Sequence, residues 1–315
     1  MTLLAVPCSG ADTVAILDAD HGEFLGDVEV GSHPVHLATV GNCVFVATMG
    51  ERSVDVIADG DVTRIETGVL GPSHFAAVGE TVFAPCTGGD VVAVLDATDR
   101  TPCGRIAVGG EPHDVVVHDG AVFVGSRADG TVSVVDPDSM AVLATHEFGD
   151  EARIQGLAST ADRAYAVDQR GERVVALDRD GPEAVASVGA NPYEVVVHGG
   201  RVYVPGRDDG TVTELTADLG SRTRRRLGGR PVDVVAHDDE RWVLDRERPV
   251  LGELSTGDDV SLPAPSFAAA GDPDAFGRVY LTHYDDDAVS AVDLDERAVV
   301  WTTDLPAGPF EPLVV

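Results

Sequence analysis

Residues with acid–base or metal-ligating chemistry recur at one place in this chain. His36, His74, Asp114, Glu194 and Asp233 each stand nine residues before an aromatic: Phe45, Phe83, Phe123, Tyr203 and Trp242. Glu311, two residues after Pro309, takes the same place in the last segment, and Gln155 and Phe267 fill it in two less regular copies. A second set lies three residues after the aromatic position: Cys8, Thr48, Cys86, Ser126, Asp168, Gly206, Asp245 and His283. Imidazoles and carboxylates brought together can do general acid–base work. Histidine with cysteine suits zinc, copper or another thiophilic metal, whereas carboxylates suit Ca2+ or Mg2+. His36, His74, Cys8, Cys86 and His283 therefore form the candidate metal set, with His33 beside them. The candidate ligand-binding set is His36, His74, Asp114, Glu194, Asp233, Glu311, Asp168 and Asp245. A divalent or thiophilic ion is the only cofactor these residue types indicate.

Such spacings imply a repeated element that positions the residues. The aromatic recurs as Phe45, Phe83, Phe123, Tyr165, Tyr203, Trp242 and Tyr280, with Ala5 in the first copy, at intervals of 38 to 42 residues. A valine marks the next segment at Val14, Val54, Val92, Val132, Val174, Val212, Val250 and Val289. Two anchors holding one period define an internal repeat, and short alternating apolar segments between Gly/Asp turns make it all-β. In one copy the strands read His113–Val117, Ala121–Gly125, Thr131–Val135 and Ala141–Phe148, with Asp129-Gly130 expected as a type I′ hairpin. Four strands per repeat of this length predict a single β-propeller domain over residues 1–315. The chain opens on a second strand, Leu3 to Val6, and closes on a lone first strand, Pro309 to Val315. Pairing the two completes a blade, which gives eight blades. Seven is the alternative, because the last repeat is irregular: Phe267 to Ala270 is a weak strand before Gly271-Asp272-Pro273-Asp274. In a propeller, the candidate sets gather at one mouth of the central channel.

The segments Gly110-Glu111-Pro112-His113-Asp114-Val115-Val116-Val117, Val122-Phe123-Val124 and Thr131-Val132-Ser133-Val134-Val135-Asp136 resemble the YVTN repeat of bacterial and archaeal propellers. The same repeat occurs in lactonase-like propellers and in propellers similar to the β-chain of quinoprotein amine dehydrogenases. The resemblance spans the chain and implies the fold; members differ in function. It also implies asparagine three residues after the anchor, a position this chain fills with mostly different residues.

The 54 acidic and 22 basic side chains leave a formal charge of −32, and every basic residue is arginine. Nucleic acid, which demands clustered cations, is excluded as a partner. No apolar run approaches a membrane span, and no secretory signal is visible, so a cytoplasmic protein of a salt-loving host is expected. Cys8, Cys43, Cys86 and Cys103 carry no CxxC spacing and are expected as free thiols. His118, His198 and His237 fall in turns on the opposite face and are expected to be solvated. Arg222-Thr-Arg-Arg-Arg226 is the one basic run, read as an outer strand paired with neighbouring carboxylates or facing an anionic partner. Asp208-Asp209-Gly210 and Tyr284-Asp285-Asp286-Asp287 read as hairpin turns. No GxSxG, Walker or HExxH motif occurs. The leading function is binding of a small ligand or metal ion in a polar funnel. A lactonase-like hydrolase or lyase using His36 or His74 as base and Glu194 as acid or metal ligand is the alternative. A scaffold for protein partners is the third reading.

Overall fold

A computed structural model describes residues 2–271 and 277–315. The turn expected at Asp272-Pro273-Asp274 lies outside them. Eight four-stranded antiparallel sheets form the blades of a propeller. Blade 1 combines Leu3–Cys8, Thr13–Asp18 and Phe24–Glu29 with the chain's last strand, Leu313–Val314, which pairs Leu4 with Val314 and Ala5 with Leu313. Blades 2 to 8 follow in order, and from blade 3 to blade 8 each innermost strand touches that of the next. The irregular last repeat is a complete blade, with Ala268–Ala270 innermost and Ala298–Asp304 outermost. The count is therefore eight.

The anchors explain the repeat. Phe45, Phe83, Phe123, Tyr165 and Trp242 sit mid-strand and are fully buried in the layers between successive sheets. Phe123, for example, packs with Val132 and Val134 of its own blade and Ile154, Leu157 and Ala166 of the next. Each large ring fills one inter-blade gap, and truncating it would cost roughly 3–5 kcal/mol. The strand after the anchor strand is buried on both faces because each sheet is covered on both sides, and it holds buried polar residues such as Asp55, Ser133, Thr213 and Ser290 among its apolar ones. The outermost strands alternate instead, as in Ala298–Asp304.

Two local features aim residues at the channel. The innermost strands of blades 2, 4, 5 and 7 begin with a register shift, between Pro34 and Leu37, Pro112 and Asp114, Ile154 and Leu157, and Pro231 and Asp233. Such a bulge re-aims side chains at a sheet edge. The loop before Thr131 also differs from expectation. Of Asp129 and Gly130 only the glycine has positive φ, +61°, so this is no type I′ turn, which needs both. The turn packs tightly: a Cβ on Gly130 would come within 2.6 Å of Ala152.

Candidate functional site

The bulged strand entries and the loops that follow the anchor strands enclose one funnel, a cavity of about 580 Å³. His36, His74, Asp114, Glu194, Asp233, Glu311 and Phe267 all line it. Glu311 comes from the closing strand segment and His36 from blade 2, and His36 Nδ1 lies 2.5 Å from Glu311 Oε2. The His36 and His74 rings lie 3.8 Å apart between centroids, and His113 stands edge-on to His74 at 4.7 Å. His74 Nδ1 donates to the His113 carbonyl at 2.9 Å, and His113 Nδ1 donates to the Gln155 carbonyl at 3.0 Å. A carbonyl only accepts, so both rings carry their proton on Nδ1 and present an unprotonated Nε2. Burial, then the neighbouring imidazoles, hold His74 well below the usual histidine range. Burial and the Arg127 guanidinium bring His113 down to about 3. Gln155 is buried and serves the wall by contacting His113 with its amide.

The carboxylates occupy other blades. Asp114 accepts from the Val115 and Leu157 amides at 2.7 Å each, yet burial still pushes it up to about 6. Asp233 accepts from Val234 N at 2.7 Å and burial pushes it to about 6 as well. Glu194 is raised well above the usual range by burial, then by the charges of Asp114, Asp233 and Glu311. Burial thus shifts all three carboxyl groups of this cavity toward their neutral forms.

Three arginines form a collar over this floor: Arg127, Arg207 and Arg246. The Arg207 guanidinium lies 3.7 Å above the Tyr193 ring and that of Arg246 lies 4.6 Å from the Phe267 ring centre. Phe310 bridges His36 at 5.4 Å and Phe267 at 4.6 Å, so rings line the funnel from His113 through His74, His36 and Phe310 to Phe267. Nε of both Arg127 and Arg207 is buried without a hydrogen-bond partner.

The second candidate set does not reach this cavity. Each of its members in blades 1 to 7 sits opposite a strand-entry residue, as Cys8 opposite Pro309, Cys86 opposite Pro72, Asp168 opposite Ile154 and Asp245 opposite Pro231. Their side chains are buried and do not line the funnel. Cys8 belongs to the apolar layer between blades 8 and 1, Cys86 to that between blades 2 and 3. Burial pushes the Cys8 thiol up to about 12 and the Cys86 thiol to about 11, the wrong direction for a metal-ligating thiolate. His283 has both nitrogens engaged, Nδ1 with the Pro265 carbonyl at 3.1 Å and Nε2 with Ser290 Oγ at 2.8 Å. Asp168 accepts from Arg173 Nε and the Arg153 and Gly171 amides, and Asp245 from Arg248 Nε and the Arg230, Glu247 and Arg248 amides. Both aspartates organise loops. Of the five residues considered for a metal, only His36 and His74 meet, and His33 is exposed away from the funnel lining.

The position that does reach the cavity is one residue later. Met49, Arg127, Arg207, Arg246 and Tyr284 each stand four residues after an anchor and all line the funnel. Each stands directly after the member of the second set in its blade. On the opposite face, the histidines expected to be solvated are not uniformly so: His118 and His237 are buried. Each histidine bridges to a neighbouring blade, His118 to the Thr160 carbonyl and His237 Nε2 to Asp295 at 2.9 Å. His237, Asp238 and Asp295 are also the one group among the described residues with three ligand atoms mutually within 4.8 Å.

Fold and site together define an eight-bladed propeller with a single polar, ring-lined funnel. Among solved structures the chain is similar to dihydro-heme d1 dehydrogenase NirN in complex with DHE, with a TM-score of 0.80 and 14% identity over 98% of this chain and 74% of that one. Apo AztD from Citrobacter koseri is also similar, with a TM-score of 0.72 and 16% identity over 100% and 98% of the two chains. So is a streptogramin B lyase, with a TM-score of 0.62 and 14% identity over 77% and 95%. No protein-family model and no curated protein sequence matches the chain. At these identities the likeness establishes the propeller fold and leaves function to the site.

Proposed function

We propose that the chain binds a flat, carboxylate-bearing small molecule in its funnel, and that a metallated tetrapyrrole is the class best matched by the residues present. The observation that carries this reading is the arginine collar. In a chain of formal charge −32, three guanidinium groups face one cavity, and the buried Nε of two makes no hydrogen bond, that of Arg127 lying 3.9 Å from Glu111. A buried guanidinium with a free donor suits a carboxylate or phosphate. The rings of Tyr193, Phe267, Phe310 and the histidines suit a conjugated plane. His74, with Nε2 unprotonated, and His36 stacked on it are the groups that would hold a metal bound within that plane; such a metal would supply redox or Lewis-acid chemistry. A cavity of about 580 Å³ falls within the roughly 300–1,000 Å³ of small-molecule sites. The similar fold of NirN, a dihydro-heme d1 dehydrogenase, supports the class.

Titration with hemin and with its metal-free porphyrin, followed by the Soret band, tests this. Both should bind, and Arg127→Gln with Arg207→Gln should weaken both by tenfold or more. His74→Ala should shift the band of the iron form while leaving metal-free affinity near its original value. Absence of saturable binding by either probe would overturn the reading.

A second reading, a lyase, is favoured by the His36–Glu311 pair and by the similar fold of the streptogramin lyase. A carboxylate on Nδ1 orients an imidazole so that Nε2 can take a proton. A substrate-bound rate lost in His36→Ala, with no porphyrin binding by the parent, would favour it.

A further inference from the structure

The outermost strand of blade 6, Arg222–Arg226, is unlike its counterparts. Four of the chain's 22 cations occupy its five positions, and all five residues are exposed. Six of the other seven outermost strands carry a carboxylate, such as Asp27 and Glu29 in Phe24–Glu29 or Asp61 and Glu66 in Asp61–Glu66. Glu214 is the one carboxylate on the strand paired with Arg222–Arg226, and it lies 3.8 Å from Arg201. Arg222 spends a donor on the Ser187 carbonyl of blade 5. Among the described residues, Arg224, Arg225 and Arg226 have no carboxylate within ion-pair distance, contrary to the paired surface edge the sequence suggested. In a molecule this acidic, three neighbouring guanidinium groups without local counter-charge are an unmet electrostatic demand.

Strand geometry says what would meet it. Register pairs Arg222 with Leu215, Arg224 with Thr213 and Arg226 with Thr211, so the three share one face, while Arg225 lies on the other. The strand's far side pairs with nothing, which leaves a row of backbone donors and acceptors. Arginine on an edge repels another copy of the same edge; it does not repel an acidic strand. We propose that this edge docks an extended acidic segment of a partner protein, added as a fifth strand of blade 6, with carboxylates at alternate positions opposite Arg222, Arg224 and Arg226. A polyanionic nucleic acid or an anionic membrane would meet repulsion from the remaining surface, whereas a segment of about five residues touches only this edge.

The test is fluorescence anisotropy with a labelled eight-residue peptide of alternating Glu and Thr, in the lowest salt at which the far-UV spectrum stays native. Saturable binding is expected, weakened about tenfold or more by R224Q/R226Q, whose melting curve should match the parent, because two exposed ion pairs are lost together with their coupling to strand pairing. The same peptide N-methylated at every second amide should not bind, and its Gln counterpart should bind at least tenfold more weakly. Equal binding of the N-methylated or Gln peptide would overturn strand docking. Concentration-dependent self-association of the parent, abolished by R224Q/R226Q, would show a second copy as the occupant and overturn the proposal.

Discussion

At the scale of single residues, the funnel's titrating groups oppose one another. Asp114 and Asp233, raised to about 6 by burial, hold protons in the folded state that the unfolded chain would release near pH 4. Their contribution to stability is complete below that range and is lost as pH rises through about 6. Replacing both by asparagine should therefore raise the melting temperature at pH 7–8, and the gain should vanish toward pH 4. Thermal denaturation across that range checks it; a gain undiminished at pH 4 would contradict the cause assigned. His113, lowered to about 3, carries the opposite sign: its contribution is present above about pH 6.5 and is lost on acidification. The same scale explains the misplaced second set. Strand side chains alternate faces, so a slip of one residue turned funnel-facing Arg127 and Arg207 into buried Ser126 and Gly206.

At the scale of elements, closure rests on few bonds in a decisive place. Besides the Leu4–Val314 and Ala5–Leu313 register, Leu3 and Val315 exchange both backbone bonds, and the Phe310 amide donates to Pro7. Removing residues 309–315 should expose the edge of Leu3–Cys8, open the blade 8–blade 1 layer, and strip Phe310 and Glu311 from the funnel. Loss of the cooperative melting transition, or aggregation, is the expected outcome in calorimetry. An unchanged transition would mean the ring closes without that strand. The strands and their order were legible because two independent anchors kept one period. The bulged entries were not, because Pro112-His113-Asp114 looks like any strand start until Pro112 is seen to face Ser126 and Asp114 to face the adjacent Gly125, with His113 as the one extra residue between them.

For the whole molecule, the formal charge of −32 sets an expectation about salt. The Debye length is about 10 Å at 0.1 M and about 3 Å at 1 M, so molar salt screens repulsion between exposed carboxylates that dilute buffer does not. Melting temperature should rise with KCl from 0.1 to 2 M and the fold should loosen on dialysis to low salt, as circular dichroism would show. A salt-independent melting temperature would contradict a halophilic character.

By itself the sequence determined the repeat, its four strands, the closing strand and the funnel residues His36, His74, Asp114, Glu194, Asp233 and Glu311, and it left seven blades as the alternative to eight. Nearly all of these follow from period, a property of order along the chain; Glu311 follows from its place after Pro309 in the closing segment. Only the tertiary structure decided that Cys8, Cys86 and His283 are buried away from the funnel and that His113 joins the histidine row. It alone placed the three arginines over the same cavity and left Arg224 to Arg226 without carboxylate partners. Those facts depend on which face a side chain takes and on what the neighbouring blade presents to it. Residues some 40 or more positions apart meet there, as His74 meets the His113 carbonyl, and no local pattern encodes that meeting.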